Sequence, residues 1–428
     1  MLRAFVNAFK IPDLRNKILF TLFVIGIYRL GSHIPLPGID FAQVQELQRQ
    51  AEQGGGIFGL INLFSGGGLT RFAVFALGIM PYITSSIIMQ LLTVVIPRLE
   101  ALQKEGEVGR KKITQYTRYM TVVLALLQSL GILVTANSGN LFQGISDLFP
   151  DLGTWDTFLI VITLTAGTAL IMWMGELITQ RGIGNGMSIL IFASIISSLP
   201  GQSLALWQTS GAGKGTAFLF LGLLIVVAVV LVEQGQRRIP VQYAKRVVGR
   251  RTYGGTSTYI PMKVNQAGVI PIIFASSLLY LPILASTIVQ NRWFNDFVNR
   301  NFASGDSIWY VGVYFLLVVF FTYFYTAITF NPTDVADNMK KYGGFIPGIR
   351  PGRPTAEYLD HILTRITLPG ALFIASIAVL PFIAQGAWDV TSFPFAGTAV
   401  LIIVGVGLET MKQIESQLMM RHYEGFLK

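Results

Sequence analysis

Apolar blocks long enough to cross a bilayer recur ten times along this chain, and that recurrence limits what it can fold into. A spanning helix takes about 20 predominantly apolar residues. The blocks lie near Ile18–Pro35, Phe72–Ile96, Tyr119–Thr135, Thr157–Ile178, Ile183–Leu199, Ala217–Val232, Asn265–Val289, Ile308–Phe330, Ile366–Ala384 and Phe393–Leu408. Lipid offers no hydrogen bonds, so each block must satisfy its own backbone, which a helix does. Only 13% of the residues are charged, against roughly 25% in soluble domains, too few to coat a water-soluble surface of this size. The fold class is therefore an all-α polytopic membrane protein with ten transmembrane helices. Lys10, Arg15 and Lys17 precede the first block, but no small-residue cleavage site follows it, so it reads as a permanent span. The chain has no cysteine, which excludes a disulfide scaffold, a thiolate nucleophile and a Cys-ligated metal. No cofactor and no metal site is expected.

Charge placement gives the orientation. Cytoplasmic loops retain Lys and Arg. Of the 32 basic residues, all but Arg29, Arg49, Arg71, Lys214, Arg292 and Arg300 fall on one side of a ten-span path. That side holds both termini and the long loops after the second, sixth and eighth spans. The expected location is the plasma (inner) membrane, multi-pass, with both termini cytoplasmic.

Two segments share a pattern. Gly78, Pro81, Ile83 and Ser86 recur at the same offsets as Gly268, Pro271, Ile273 and Ser276. Each set belongs to the second span of a five-span half. Five is odd, so similar halves must enter the membrane in opposite senses, the logic of inverted repeats. The halves are expected at residues 1–200 and 201–428. Their pseudo-twofold axis would put the functional centre near the midplane, between the second and seventh spans.

Almost no ionisable residue lies deep in a span. Arg29, Glu176, Glu233 and Glu409 sit near span ends, within snorkelling reach of water, and His33, His361 and His422 lie near or beyond span ends. A proton-coupled carrier normally needs a buried relay of such groups, and an intramembrane protease needs a Ser–His or paired-Asp site. Neutral polar residues are plentiful instead: Thr84, Ser85, Ser86, Gln90 and Thr93 in the second span, Asn265, Gln266, Ser276 and Ser277 in the seventh, Asn185 and Ser188 opening the fifth. Small polar residues commonly serve helix packing; the functional alternative is a partly wet surface that separates easily from its neighbour. Ile79 and Ile83, and Met187 and Ile191, are spaced i, i+4 and so share a helix face. If these converge with Ile273 and Ile402, they form an apolar constriction that blocks ions by dewetting.

The stretch Ile57, Phe58, Leu60, Ile61, Leu63, Phe64 is apolar but too short to cross, and a glycine run, Gly66 to Gly68, follows it. It reads as a surface-lying helix or as a short re-entrant stopper on a glycine hinge. The sixth–seventh and eighth–ninth loops are long and basic, and long loops carrying Pro and Gly usually carry function. Their charge suits an acidic protein partner or ribosomal RNA. Gly211-Ala-Gly-Lys-Gly-Thr216 is not a phosphate-binding loop, because the required earlier glycine is Gln208 and no strand precedes it.

Six segments stand out: Phe75-Ala-Leu-Gly-Ile-Met-Pro-Tyr-Ile83, Gly175 to Gly186, Lys263-Val-Asn-Gln-Ala-Gly-Val-Ile-Pro271, Gly348-Ile-Arg-Pro-Gly352, Gln115-Tyr-Thr-Arg-Tyr119 and Gly235-Gln-Arg-Arg238. Through them, and over essentially its whole length, the chain resembles the SecY/Sec61 family of protein-conducting channels. The resemblance implies two halves closing like a clamshell around a pore and no enzymatic activity of the chain itself. It implies a pore ring of Ile79, Ile83, Met187, Ile191, Ile273 and Ile402, with Met187 replacing the usual isoleucine, and a plug at about Ile57 to Gly67. It further implies a lateral gate carrying Ser85, Ser86, Gln90, Asn265, Gln266, Ser276 and Ser277, and docking of a motor or ribosome at Arg250, Arg251 and Arg350. The implied partners are SecE, SecG, the SecA ATPase, the ribosome, signal sequences, nascent polypeptides and membrane lipid, with no DNA. Two rival readings stay open on the residues alone: a small-solute transporter with inverted repeats, and an insertase scaffold without a through-pore.

Overall fold

A computed structural model describes residues 9–39, 65–137, 153–243, 246–248, 251–253, 257–288, 292–298, 300–301, 307–388 and 397–424. Twelve helices are described. They are α1 (Pro12–Gly31), α2 (Met80–Val95), α3 (Pro97–Lys104), α4 (Glu107–Asn137), α5 (Thr154–Arg181) and α6 (Gly186–Gln234), then α7 (Ile270–Ile288), α8 (Arg292–Val298), α9 (Ile308–Thr329), α10 (Pro332–Lys341), α11 (Arg353–Trp388) and α12 (Gly397–Glu424). Among the described residues, seven helical stretches are long and apolar enough to cross a membrane, or eight if α2 and α3 count as one span bent by 100°. The two remaining blocks form α1, which carries Asp13, Arg15, Lys17 and Arg29, and α7, whose apolar run Ile270–Leu279 is short.

Prolines set several of the boundaries. α1, α2, α3 and α10 all begin with Pro in the first turn, where its missing N–H would have had no partner anyway. The residue before a proline is pushed out of helical geometry. Ile96, before Pro97, is accordingly extended at φ −99°, ψ 111°, and the chain turns sharply there. The fifth and sixth blocks run together as α6, interrupted at Gly211 with φ 75° and ψ 163°, a conformation essentially reserved for glycine.

The helices bury one contiguous apolar core that draws on both halves. α2 packs on α4, α6 on α12, α9 on α11, and α2 against α7. Outward, large apolar residues such as Phe23, Phe220, Leu231 and Leu316 stand more than half exposed, as a lipid-facing surface requires.

The sixth–seventh loop contains strands, which the helical reading did not anticipate. β1 (Gln236–Tyr243) pairs antiparallel with β4 (Ser257–Lys263) in the register Ile239 to Ile260, and β5 (Gly344–Phe345) adds to its far edge. The short strands β2 (Arg246–Val248) and β3 (Arg251–Tyr253) pair beyond them. Along β1 the burial alternates, Ile239 and Val241 in, Arg238 and Pro240 out, the period of two that a half-buried strand requires. The inward residues, with Met262, meet Met339 of α10 and Leu359, Ile362 and Leu363 of α11 in a second small core. The ribbon is thereby fixed to the membrane body.

Candidate functional site

The repeated motif folds the same way twice. Gly78 has φ 56° and Gly268 φ 62°, the left-handed region where glycine is at home. Each is followed two residues later by the first residue of a helix, α2 or α7, with Pro81 or Pro271 in its first turn. Ile83 N–H donates to Ile79 O at 3.1 Å, and Ile273 N–H to Val269 O at 3.4 Å, the same bond at the same offset. The likeness extends upstream. Val74 N–H donates to Ile34 O, just past the end of α1, and Val264 N–H to Gly235 O, just past the end of α6, both at 2.9 Å. In each copy the chain leaving one span is stapled to the chain entering the next. Five spans separate the copies, so they run in opposite senses.

α2 and α7 lie side by side, and their polar residues bond mostly to their own helix. Thr84 donates to Met80 O, Ser85 to Pro81 O at 2.8 Å, and Ser276 to Ile273 O at 3.0 Å. Ser277 Oγ is buried without a partner. Ser86 and Gln266 are half-buried and Gln90 is exposed. Hydroxyls folded back on their own backbone build no hydrogen-bonded bridge across the seam. Asn265 is tied elsewhere: its Nδ2 donates to Glu233 Oε1 at the end of α6 and to Gly268 O at 3.0 Å, while its Oδ1 is buried and unpaired.

Ile79, Ile83, Met187, Ile191, Ile273 and Ile402 are all buried and all belong to the main apolar core. They come from the start of α2, from α6, α7 and α12. Met187 leans toward α5, where its Sδ lies 2.4 Å from the position a Cβ on Gly175 would take. Ile57, Phe58, Leu60, Ile61, Leu63 and Phe64 lie outside the described residues. The glycines after them turn through φ 64° at Gly66 and 85° at Gly67.

Two arginines are held rather than snorkelling. Arg29 Nη1 donates to Gly66 O at 2.9 Å. Arg71 Nη1 lies 2.6 Å from His33 Nε2, whose Nδ1 is 2.8 Å from Arg29 O. An arginine only donates, so His33 accepts at Nε2 and carries its proton on Nδ1. Toward the other end, Arg118 grips Glu176 with two bonds of 2.7 Å and reaches Gln115 at 2.9 Å. This joins α4 to α5 and brings together the segments Gln115–Tyr119 and Gly175–Gly186, a pairing that a separation of 58 residues hid in the sequence.

Arg350 stands exposed on a turn shaped by Gly348 (φ 83°) and Gly352 (φ 104°), its carbonyl accepting from Thr355 Oγ1 at 2.9 Å. Arg251 opens β3, and Arg250 lies outside the described residues.

With this arrangement established, the comparisons are decisive. The family model described as SecY matches residues 73–411. The chain belongs to the SecY family. SecY relatives match it end to end: it is 59% identical to the protein translocase subunit SecY of Streptomyces galbus and 56% to that of Mycobacterium tuberculosis, over all of both chains. Solved structures share the SecY fold at lower identity. A protein-conducting channel aligns over 96% of both chains with TM-score 0.65 and 17% identity. Sec61 in a canine ribosome–channel complex aligns over the same share with TM-score 0.62 and 17% identity.

Proposed function

We propose that this chain is the channel subunit through which unfolded secretory polypeptides cross the plasma membrane and apolar helices pass sideways into lipid. The observation that carries the proposal is the seam itself. Two repeat-related helices lie side by side, with Thr84, Ser85 and Ser276 bonded back to their own helix, at the edge of a mainly apolar core. A translocating chain is polar and needs a hydrated route, whereas a signal helix is apolar and needs lipid. One pore with a separable seam serves both. The signal helix enters between α2 and α7, gaining roughly 25 cal/mol per Å² of apolar surface removed from water, while the six-residue apolar ring closes around whatever passes. Residues 57–67 act as the stopper. Arg250, Arg251 and Arg350 receive the SecA motor or the ribosome, and SecE and SecG complete the complex. Both termini are cytoplasmic, by the retention of basic loops on that side.

A photo-crosslinker at Ile83 and at Ile273 tests the route. A stalled secretory chain should crosslink to both. Crosslinks to neither, or uptake of a small solute by the purified chain alone, would overturn the reading. Polar replacement of Ile83, Ile191 and Ile273 together should raise the resting ion conductance of reconstituted channels. Stoichiometric co-purification of SecE, with ATP-dependent binding of SecA, tests the partners.

A further inference from the structure

Each turn that leads into a seam helix is pressed against a glycine on the fourth span of its own half. A Cβ built on Gly167 of α5 would lie 2.1 Å from the Val74 carbonyl oxygen, and one on Gly370 of α11 would lie 2.4 Å from that of Val264. Real Cβ atoms essentially never come within 3.0 Å of such an atom. Val74 and Val264 occupy the same place in the two copies, four residues before Gly78 and Gly268. Their N–H groups are stapled to Ile34 and Gly235, so each entrance turn is fixed on its donor side and seated on its acceptor side. Both glycines are buried, so a side chain there has no solvent to turn into.

We propose that Gly167 and Gly370 are matched positioning residues: notches that receive the entrance turns of α2 and α7 and so set how closely the two helices meet at rest. Close-packed interiors transmit such displacements instead of absorbing them. Filling either notch moves its turn by about 1 Å, the gap between the distance present and ordinary contact, and carries the helix behind it. The functional consequence, a seam that opens more readily, rests on the channel reading; the geometry does not.

The chain has no cysteine, so two introduced cysteines can be labelled specifically. Spin labels at Gln90 of α2 and Leu278 of α7, both exposed, report the distance across the seam in reconstituted full-length protein. G167A and G370A should each shift the mean distance by about 1 Å or more, and G370V should shift it further than G370A. Two controls separate positioning from general damage. Gly201 has nothing within 4 Å, and Gly186 is as tightly packed, 1.9 Å from the Gly175 carbonyl oxygen, but away from the entrance turns. G201A and G186A should leave the distance unchanged. Distributions for G167A and G370A that match the unmodified pair, or an equal shift from G186A, overturn the proposal. If the alanine variants do not accumulate, V264P removes the N–H staple with the notch intact. It should broaden the distribution, and an unbroadened one counts equally against the proposal. The distance is read without translocation. An unchanged distance therefore sinks the notches and spares the channel, while failure of the unmodified protein to translocate sinks the channel and spares the notches.

Discussion

Removing the hydroxyl of Ser194 should destabilise the protein more than removing that of Tyr28, and removing both should be better than removing Ser194's alone. The two oxygens are 2.7 Å apart and join α1 to α6. Ser194 Oγ also donates to Leu190 O at 2.9 Å. It has one proton, so Tyr28 must be the donor between them. Tyr28 is 1% exposed and Ser194 is fully buried, so water cannot replace a lost partner. In S194A the tyrosine hydroxyl loses this acceptor in a site closed to water, with the Ser32 hydroxyl as the neighbour left to it. A stranded buried donor costs roughly 1–3 kcal/mol, so about 2 kcal/mol is expected, a loss of up to about 30-fold in the folded-to-unfolded ratio. In Y28F the serine keeps its bond to Leu190, and only the net value of one hydrogen bond, about 1 kcal/mol, is lost. Y28F/S194A strands nothing and should recover about 1 kcal/mol relative to S194A. Thermal unfolding of the detergent-solubilised protein, followed by tryptophan fluorescence across all four sequences, gives the cycle. A double variant no more stable than S194A would refute the donor assignment and the reasoning from burial.

Other outcomes follow from the same geometry. R118A and E176Q should each destabilise by about 1–2 kcal/mol, below the 3–5 of a fully buried pair because Arg118 is 37% exposed. The pair R118A/E176Q should fall well short of additivity in the same unfolding assay. G268A should cost about 1 kcal/mol from left-handed backbone alone, since nothing lies within 4 Å of the added methyl, and its seam distance should stay that of the unmodified chain. R350E should weaken ribosome co-sedimentation, with the deficit shrinking as salt rises, while leaving thermal unfolding within about 0.5 kcal/mol.

The spans were legible because apolar length is a sufficient signal in a bilayer. Their edges were less so. Residues 72–79 are as apolar as the helix they precede, yet Phe72 (φ 43°) and Gly78 (φ 56°) turn the chain there, and hydropathy does not distinguish a buried turn from a helix. The repeated Gly–Pro–Ile–Ser pattern was visible because it lies in contiguous sequence. The carbonyl notches were not, since a glycine in a span does not say which distant backbone it admits, and Gly167 and Gly370 do not share the offset of the motif. The ribbon carried its period-two alternation in Arg238-Ile-Pro-Val241, but over too few residues, and with a proline, to outweigh the charge around it. The pairing of Arg118 with Glu176 needed the packing of α4 on α5, which no local spacing encodes. Arg350, by contrast, lies in the contiguous segment Gly348-Ile-Arg-Pro-Gly352 that carries the resemblance, and it is exposed on the turn those glycines shape.

The two staples, Ile34 to Val74 and Gly235 to Val264, also divide the molecule into parts with different freedom to change. Each closes a neck, so whatever is inserted beyond it, residues 36–72 on one side and 236–263 on the other, begins and ends at nearly the same point. A segment hung from a closed neck can change length wherever its residues do not pack back on the bundle, while the bundle beneath it keeps its register. One bundle can thus be fitted with different attachments at opposite faces without redesign of its interior.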